Sequence, residues 1–189
     1  TGSPATDVDE EERLEDIERH TERGLRAFAR GNHDEVLARM KRLAELAPDD
    51  PLAPYLTLRV LTRTGKYEEA EALAKESRAR LPEARSLRLA WWRLLRALSR
   101  HDAAGAEATA WLVDHPDDLP ARVVAGWADE AHGRREQAYA SYAEVVKAYR
   151  PRVTLEEDVT WVAEAALGAT RVSTSQGVDL KQDVLDLLG

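Results

Sequence analysis

Apolar residues along this chain recur at helical spacing, in short amphipathic runs that stop at evenly spaced turn signals. The runs predict helices at about 9–30, 34–46, 52–63, 68–80, 85–98, 102–113, 120–132 and 136–149. Arg30-Gly31-Asn32, Thr64-Gly65-Lys66, Ser99-Arg100-His101 and His132-Gly133-Arg134 separate members of a pair, and Pro48, Pro82, Pro116 and Pro151 close each pair. After Arg152, Thr154 followed by Glu156 and Glu157 opens a further helix ending near Ala169 or Arg171. Its apolar positions are Val159, Val162, Ala163, Ala166 and Leu167. Residues 173–177 read as a loop. Residues 178–188 read as a short amphipathic helix, with Leu180, Val184, Leu187 and Leu188 apolar, that completes a fifth pair. Residues 1–8 read as a disordered acidic leader, with Gly2, Ser3 and Pro4 opposing regular structure.

The punctuation has a period of 34 residues. Windows at 17–50, 51–84, 85–118 and 119–152 tile the chain without gaps, and a terminal unit spans 153–189. A fixed period of this size marks an array in which each repeat buries its apolar face against its neighbours.

The residues behind the period resemble the tetratricopeptide repeat. That family places a small residue at position 8, Gly at 15, an aromatic at 17, Ala at 20, bulky or small apolar residues at 24 and 27, and Pro at 32. The first window supplies Gly24, Gly31, His33, Val36, Met40, Leu43 and Pro48. The second supplies Leu58, Gly65, Tyr67, Ala70, Ala74, Ser77 and Pro82, and the fourth Gly126, Gly133, Arg135, Ala138, Tyr142 and Val145. The third departs twice, with Ser99 in place of the turn glycine and bulky Trp92 at the small position. The resemblance implies an all-α, right-handed α-solenoid of antiparallel helix pairs over residues 9–189, acting as a non-enzymatic protein–protein interaction scaffold.

Composition narrows the partners. The formal charge is −8, with 35 acids against 27 bases. Residues 1–19 hold eight of the acids and two of the bases, so the body is near neutral behind an acidic leader. That pattern argues against nucleic acid as a ligand. No apolar run approaches the ~18 residues of a membrane span. The chain has no Cys, which excludes disulfides and fits the cytoplasm, while a periplasmic or exported parent protein stays open. A start at Thr1 rather than Met reads as a cut or processed end.

No catalytic constellation, cofactor motif or metal-ligand spacing stands out. The histidines His20, His33, His101, His115 and His132 form no i, i+4 pair, and there is no glycine-rich phosphate loop or nucleophile elbow. His33 and His101 at repeat position 17 read as packing residues beside a turn.

In the family, the first helix of each repeat lines an inner groove. The resemblance places Phe28, Tyr55, Arg59, Arg63, Leu89, Arg93, Arg96, Val123 and Trp127 there, with Leu25, Glu22, Leu56, Val124 and Glu130 beside them. The four arginines form a basic ladder flanked by apolar groups, with Trp127 the expected exposed anchor; the alternative for Trp127 is packing against the helix around Trp161. This combination suits a protein or peptide partner carrying acidic and apolar residues. The residues of the family's chaperone-tail clamp are replaced by Thr21, Leu25, Leu56, Ser86 and Ala90, which disfavours that ligand. Two alternatives remain open: a substrate-recruiting accessory domain of a larger enzyme or envelope protein, and a self-association module.

Overall fold

The computed structural model describes residues 4–149 and 156–174. Every regular element among them is an α-helix: α1 (Pro4–Ala29), α2 (His33–Leu46), α3 (Leu52–Arg63), α4 (Tyr67–Arg80), α5 (Arg85–Ala97), α6 (His101–Asp114), α7 (Leu119–Ala131), α8 (Arg135–Ala148) and α9 (Glu156–Thr174). Among the described residues the fold is all-α, a succession of helix pairs. The chain divides into two units, residues 1–98 with α1 to α5 and residues 99–189 with α6 to α9. The division falls inside the third repeat, at its turn.

Two helix ends differ from expectation. Helix α1 starts at Pro4 rather than near Asp9, so residues 4–8 extend the helix instead of forming a leader. Proline suits a first helical turn, and the acids that follow complement the positive end of the helix dipole. Helix α9 runs on to Thr174, absorbing Ser173, which is buried and bonds the Thr170 carbonyl at 3.0 Å. Residues 1–3, Thr154 with its expected cap, Pro151 and the expected helix over 178–188 lie outside the described residues.

The turns repeat in geometry as well as in sequence. Gly31, Gly65 and Gly133 have φ of 72°, 75° and 70°, and Ser99 has φ of 56°. These four left-handed residues stand 34 apart. The same two bonds close three of the turns, as in Asn32 N–H to Ala27 O at 2.9 Å and Gly31 N–H to Phe28 O at 3.1 Å. Equivalent bonds run from Lys66 to Leu61 and from Arg134 to Asp129, a Schellman closure that requires positive φ at the central residue. Ser99 meets that requirement with a Cβ that crowds its own carbonyl. Ser99→Gly is therefore expected to raise stability by about 0.5–1 kcal/mol after allowing for glycine's greater freedom when unfolded. Chemical denaturation would show this as a higher midpoint with an unchanged slope.

A second tie recurs in two successive repeats. Arg88 Nη2 donates to the Pro82 carbonyl at 3.4 Å, and Arg122 Nη2 to the Pro116 carbonyl at 2.6 Å. Each arginine thus reaches back six residues to the proline that closed the preceding repeat.

In the first unit, Ala27, Val36, Met40, Leu43, Ala53, Leu56 and Val60 form one core, with Ile17, Phe28, Leu37 and Tyr55 packed on it. Trp92, the bulky departure at a small position, is fully buried. His20 on α1 is partly buried, and loss of hydration, reinforced by the charge of Arg39, lowers its pKa below the ordinary value. The folded state thus binds a proton less readily than the unfolded chain does. Its contribution to stability is complete above the unfolded pKa of about 6.5 and is lost as pH falls through the depressed folded value. Replacing it by Gln is expected to flatten the fall in unfolding midpoint as pH drops below about 6.5.

In the second unit, Tyr142 of α8 is the keystone. It is fully buried, and its ring lies between Gly126 of α7 and Gly168 of α9. A Cβ at Gly126 would stand 2.5 Å from Tyr142 Cε1, and one at Gly168 would stand 2.6 Å from Cε2. The hydroxyl donates to Glu130 Oε2 at 2.8 Å, and Arg171 Nη2 donates to the same oxygen at 2.7 Å. The hydrogen bond to Glu130 raises the Arg171 pKa above its usual value. One carboxylate on α7 thus ties α8 and α9 together.

Candidate functional site

In the first unit the expected groove residues of α1 and α3 do come together. Phe28 lies at the end of α1, and Tyr55, Arg59 and Arg63 follow one another along one face of α3 at i, i+4 and i+8. The Arg59 guanidinium carbon lies 5.5 Å from the Phe28 ring centre and 5.7 Å from that of Tyr55. Arg63 reaches the same Phe28 ring at 5.9 Å. Arg59 Nη1 donates to the Tyr55 hydroxyl at 2.8 Å, which fixes the plane of the guanidinium.

Among the described residues neither Arg59 nor Arg63 makes an ion pair with a carboxylate. Their charge is supported by ring faces instead, a contact that leaves most N–H donors pointing outward. Arg59 is half-buried and Arg63 exposed. Leu25, one turn before Phe28 on α1, is 45% exposed and adds apolar surface on that side. Neighbouring Glu22 is paired with Arg26.

On α5, which packs against α3, Arg93 and Arg96 are half-buried and three residues apart. Leu89, placed in the groove by the repeat pattern, is instead buried, as is Leu56 of α3.

The second unit departs further from expectation. Val123 and Val124 are fully buried, and Trp127 is 4% exposed. Trp127 stacks on Trp161 of α9, with ring centres 5.3 Å apart and planes inclined by 29°. The exposed anchor expected at this position is therefore covered. Helix α9 brings its own tryptophan to the face that a free groove would leave open. Glu130 is likewise engaged, holding Arg171 and Tyr142.

Two further clusters in this unit have no counterpart in the sequence reading. His132 presents Nδ1 to the Ala128 carbonyl at 2.7 Å and Nε2 to Asp102 of α6 at 2.8 Å. Trp111 stacks flat on His115 at 3.5 Å and donates its indole N–H to Asp118 at 3.2 Å. Asp118 also caps α7 through the Ala121 N–H. Both clusters sit at helix ends and act as ties between neighbouring elements. His33 and His101 are the first residues of α2 and α6, half-buried beside their turns.

Among the described residues no group of three or more His, Cys, Asp or Glu could hold a metal ion. No helix there is long and apolar enough to cross a membrane.

No family model matches the chain, and no curated protein matches it. Solved structures do. The chain is similar to "MamA 41-end from Desulfovibrio magneticus RS-1" with a TM-score of 0.63 and 17% identity, covering 91% of this chain and 94% of that one. It is similar to "MamA RS-1 ArsTM double mutant" with a TM-score of 0.62, 17% identity and the same coverage. At that identity the likeness is one of fold, and it extends over nearly the whole helical array.

Proposed function

We propose that the chain is a non-enzymatic interaction module that holds an acidic peptide or partner segment on the first helices of its repeats. The seat is the platform of Phe28, Tyr55, Arg59 and Arg63, extended by Arg93 and Arg96. The observation that carries the reading is the pair of guanidiniums laid over one phenylalanine ring without a carboxylate partner among the described residues. Planar guanidinium groups so held are prepared for two-point hydrogen bonding to carboxylates, and little side-chain freedom remains to be lost on binding. Leu25 and the edge of Phe28 offer a contact for an apolar residue beside the acid. Leu89 contributes from beneath the surface, by shaping the α5 helix that carries Arg93 and Arg96, while Val123 and Trp127 belong to the core of the second unit.

The test is a peptide array of graded acidity, probed with the wild-type chain and with Arg59→Glu/Arg63→Glu. Removing both charge-assisted hydrogen-bond donors at once is expected to weaken binding at least about 100-fold. The thermal midpoint should stay within a few degrees, since neither arginine supports the core. Equal binding by both proteins would remove the seat from α1 and α3.

A further inference from the structure

The outward face of α6 lacks the charge that the corresponding helices carry. In steps of 34 residues, Ala110 stands in the register of Arg42, Glu76 and Glu144 on α2, α4 and α8, all three of them exposed. Ala103 stands in the register of Glu35, Glu69 and Gln137, and Val113 in that of Glu45 and Lys147. Val113 is 78% exposed, the highest value for a large apolar side chain among the described residues. Beside this face runs a groove of about 520 Å³, between Ala106, Ala110 and Val113 of α6 and Ala125 and Ala128 of α7. The two helices meet closely beneath it, where a Cβ on buried Gly105 would stand 2.4 Å from the Ala128 Cβ. Apolar surface gathered into one such patch marks an interaction site.

We propose that this groove docks one helix of a partner protein, apolar along one face and bearing lysine or arginine. Asp102 to Val113 spans about 16 Å along α6, the length of three helical turns. The small side chains on both walls let a helix backbone come close, and its apolar residues at helical spacing fill the room between Ala106, Ala110 and Val113. Charge sets the rest. Asp102 lies at one end of the groove with its side chain 83% exposed, and Asp129 lines the same end. Asp129 holds Arg134 at 2.8 Å, and Asp102 lies 2.8 Å from His132 Nε2. At the other end Asp114 and Asp117 are exposed where the negative pole of the α6 dipole emerges. The carboxylates of Asp102, Asp114, Asp117 and Asp129 thus stand against the single guanidinium of Arg134, and a basic occupant is the complement. The groove lies wholly in the second unit and calls for a ligand of opposite charge to that of the peptide seat in the first, so the two stand independently.

Fluorescence anisotropy on the full chain in about 0.15 M salt tests it, with a labelled helical peptide of about four turns that carries leucine along one face and lysine elsewhere. Saturable binding is expected, and the same peptide with glutamate for lysine should bind at least about 10-fold more weakly. Ala110→Arg and, separately, Val113→Lys should each weaken binding of the lysine peptide about 10-fold or more, by filling the groove and reversing its charge. Both variants should fold, since Arg42 and Lys147 occupy the same registers on α2 and α8. Arg59→Glu/Arg63→Glu should leave this binding unchanged. No saturable binding at about 1 mM lysine peptide would overturn the proposal. So would equal binding of the two peptides, binding indifferent to both α6 changes, or loss on Arg59→Glu/Arg63→Glu. A chain that is dimeric without peptide and monomeric as Ala110→Arg would overturn it in favour of a second copy as the occupant.

Discussion

Gly126→Ala is expected to destabilise the second unit by about 1–3 kcal/mol, although the same change in an exposed helix would stabilise it by about 1 kcal/mol. The sign reverses because the added methyl would stand 2.5 Å from Tyr142 Cε1, and the ring cannot retreat. Gly168 stands against the opposite edge, and the hydroxyl is held by Glu130. Gly168→Ala is expected to act alike. Tyr142→Ala should cost about 3–5 kcal/mol through the cavity it leaves. The decisive combination is Gly126→Ala with Tyr142→Leu. The smaller side chain gives the methyl room, so the pair should lose clearly less than the sum of its single changes. Strict additivity in denaturant unfolding would mean that the glycine and the ring are not in contact.

Trp127→Ala should lower the stability of the same unit by about 3–5 kcal/mol. A tryptophan in an open groove would behave differently, since surface substitutions usually fall within about 0.5 kcal/mol. The buried setting, 4% exposed and stacked on Trp161, places it among core residues. Trp127→Phe should recover much of the loss, because an aromatic face remains for Trp161. Near-UV circular dichroism offers a second check. Stacked indoles couple their transitions, and the wild-type signal should collapse in the alanine variant while the far-UV helical signal persists at low temperature.

The parts of this fold that are legible in the sequence are those set by local chemistry. Gly31, Gly65 and Gly133 announce three turns because positive φ selects glycine, and Ser99 stands out as the departure in the same register. The repeat pattern also places Phe28, Tyr55, Arg59 and Arg63 on one side, since helical spacing fixes which residues share a face. Whether a face is open depends on what arrives from elsewhere in the chain. Position alone assigns Trp127 to the groove, and Trp161, 34 residues later, covers it. Leu89 and Val123 are buried as well. The triad of Glu130, Tyr142 and Arg171 joins three helices through residues up to 41 apart, and no local pattern signals it. The arginine–proline ties do leave a trace, an arginine six residues after the closing proline in two successive repeats. The extended start of α1 is hidden by Pro4, which reads as a breaker in isolation and as a helix opener when acids follow.

The proposed ligand seat, Arg59 and Arg63 stacked on Phe28, is open to NMR titration of the chain with the strongest acidic peptide from the array. The Arg59 and Arg63 side-chain Nε–Hε signals and the amides around Phe28 and Leu25 are expected to shift together, saturably, with the peptide. Saturable shifts confined to α6–α9, with those side chains unmoved, would contradict it.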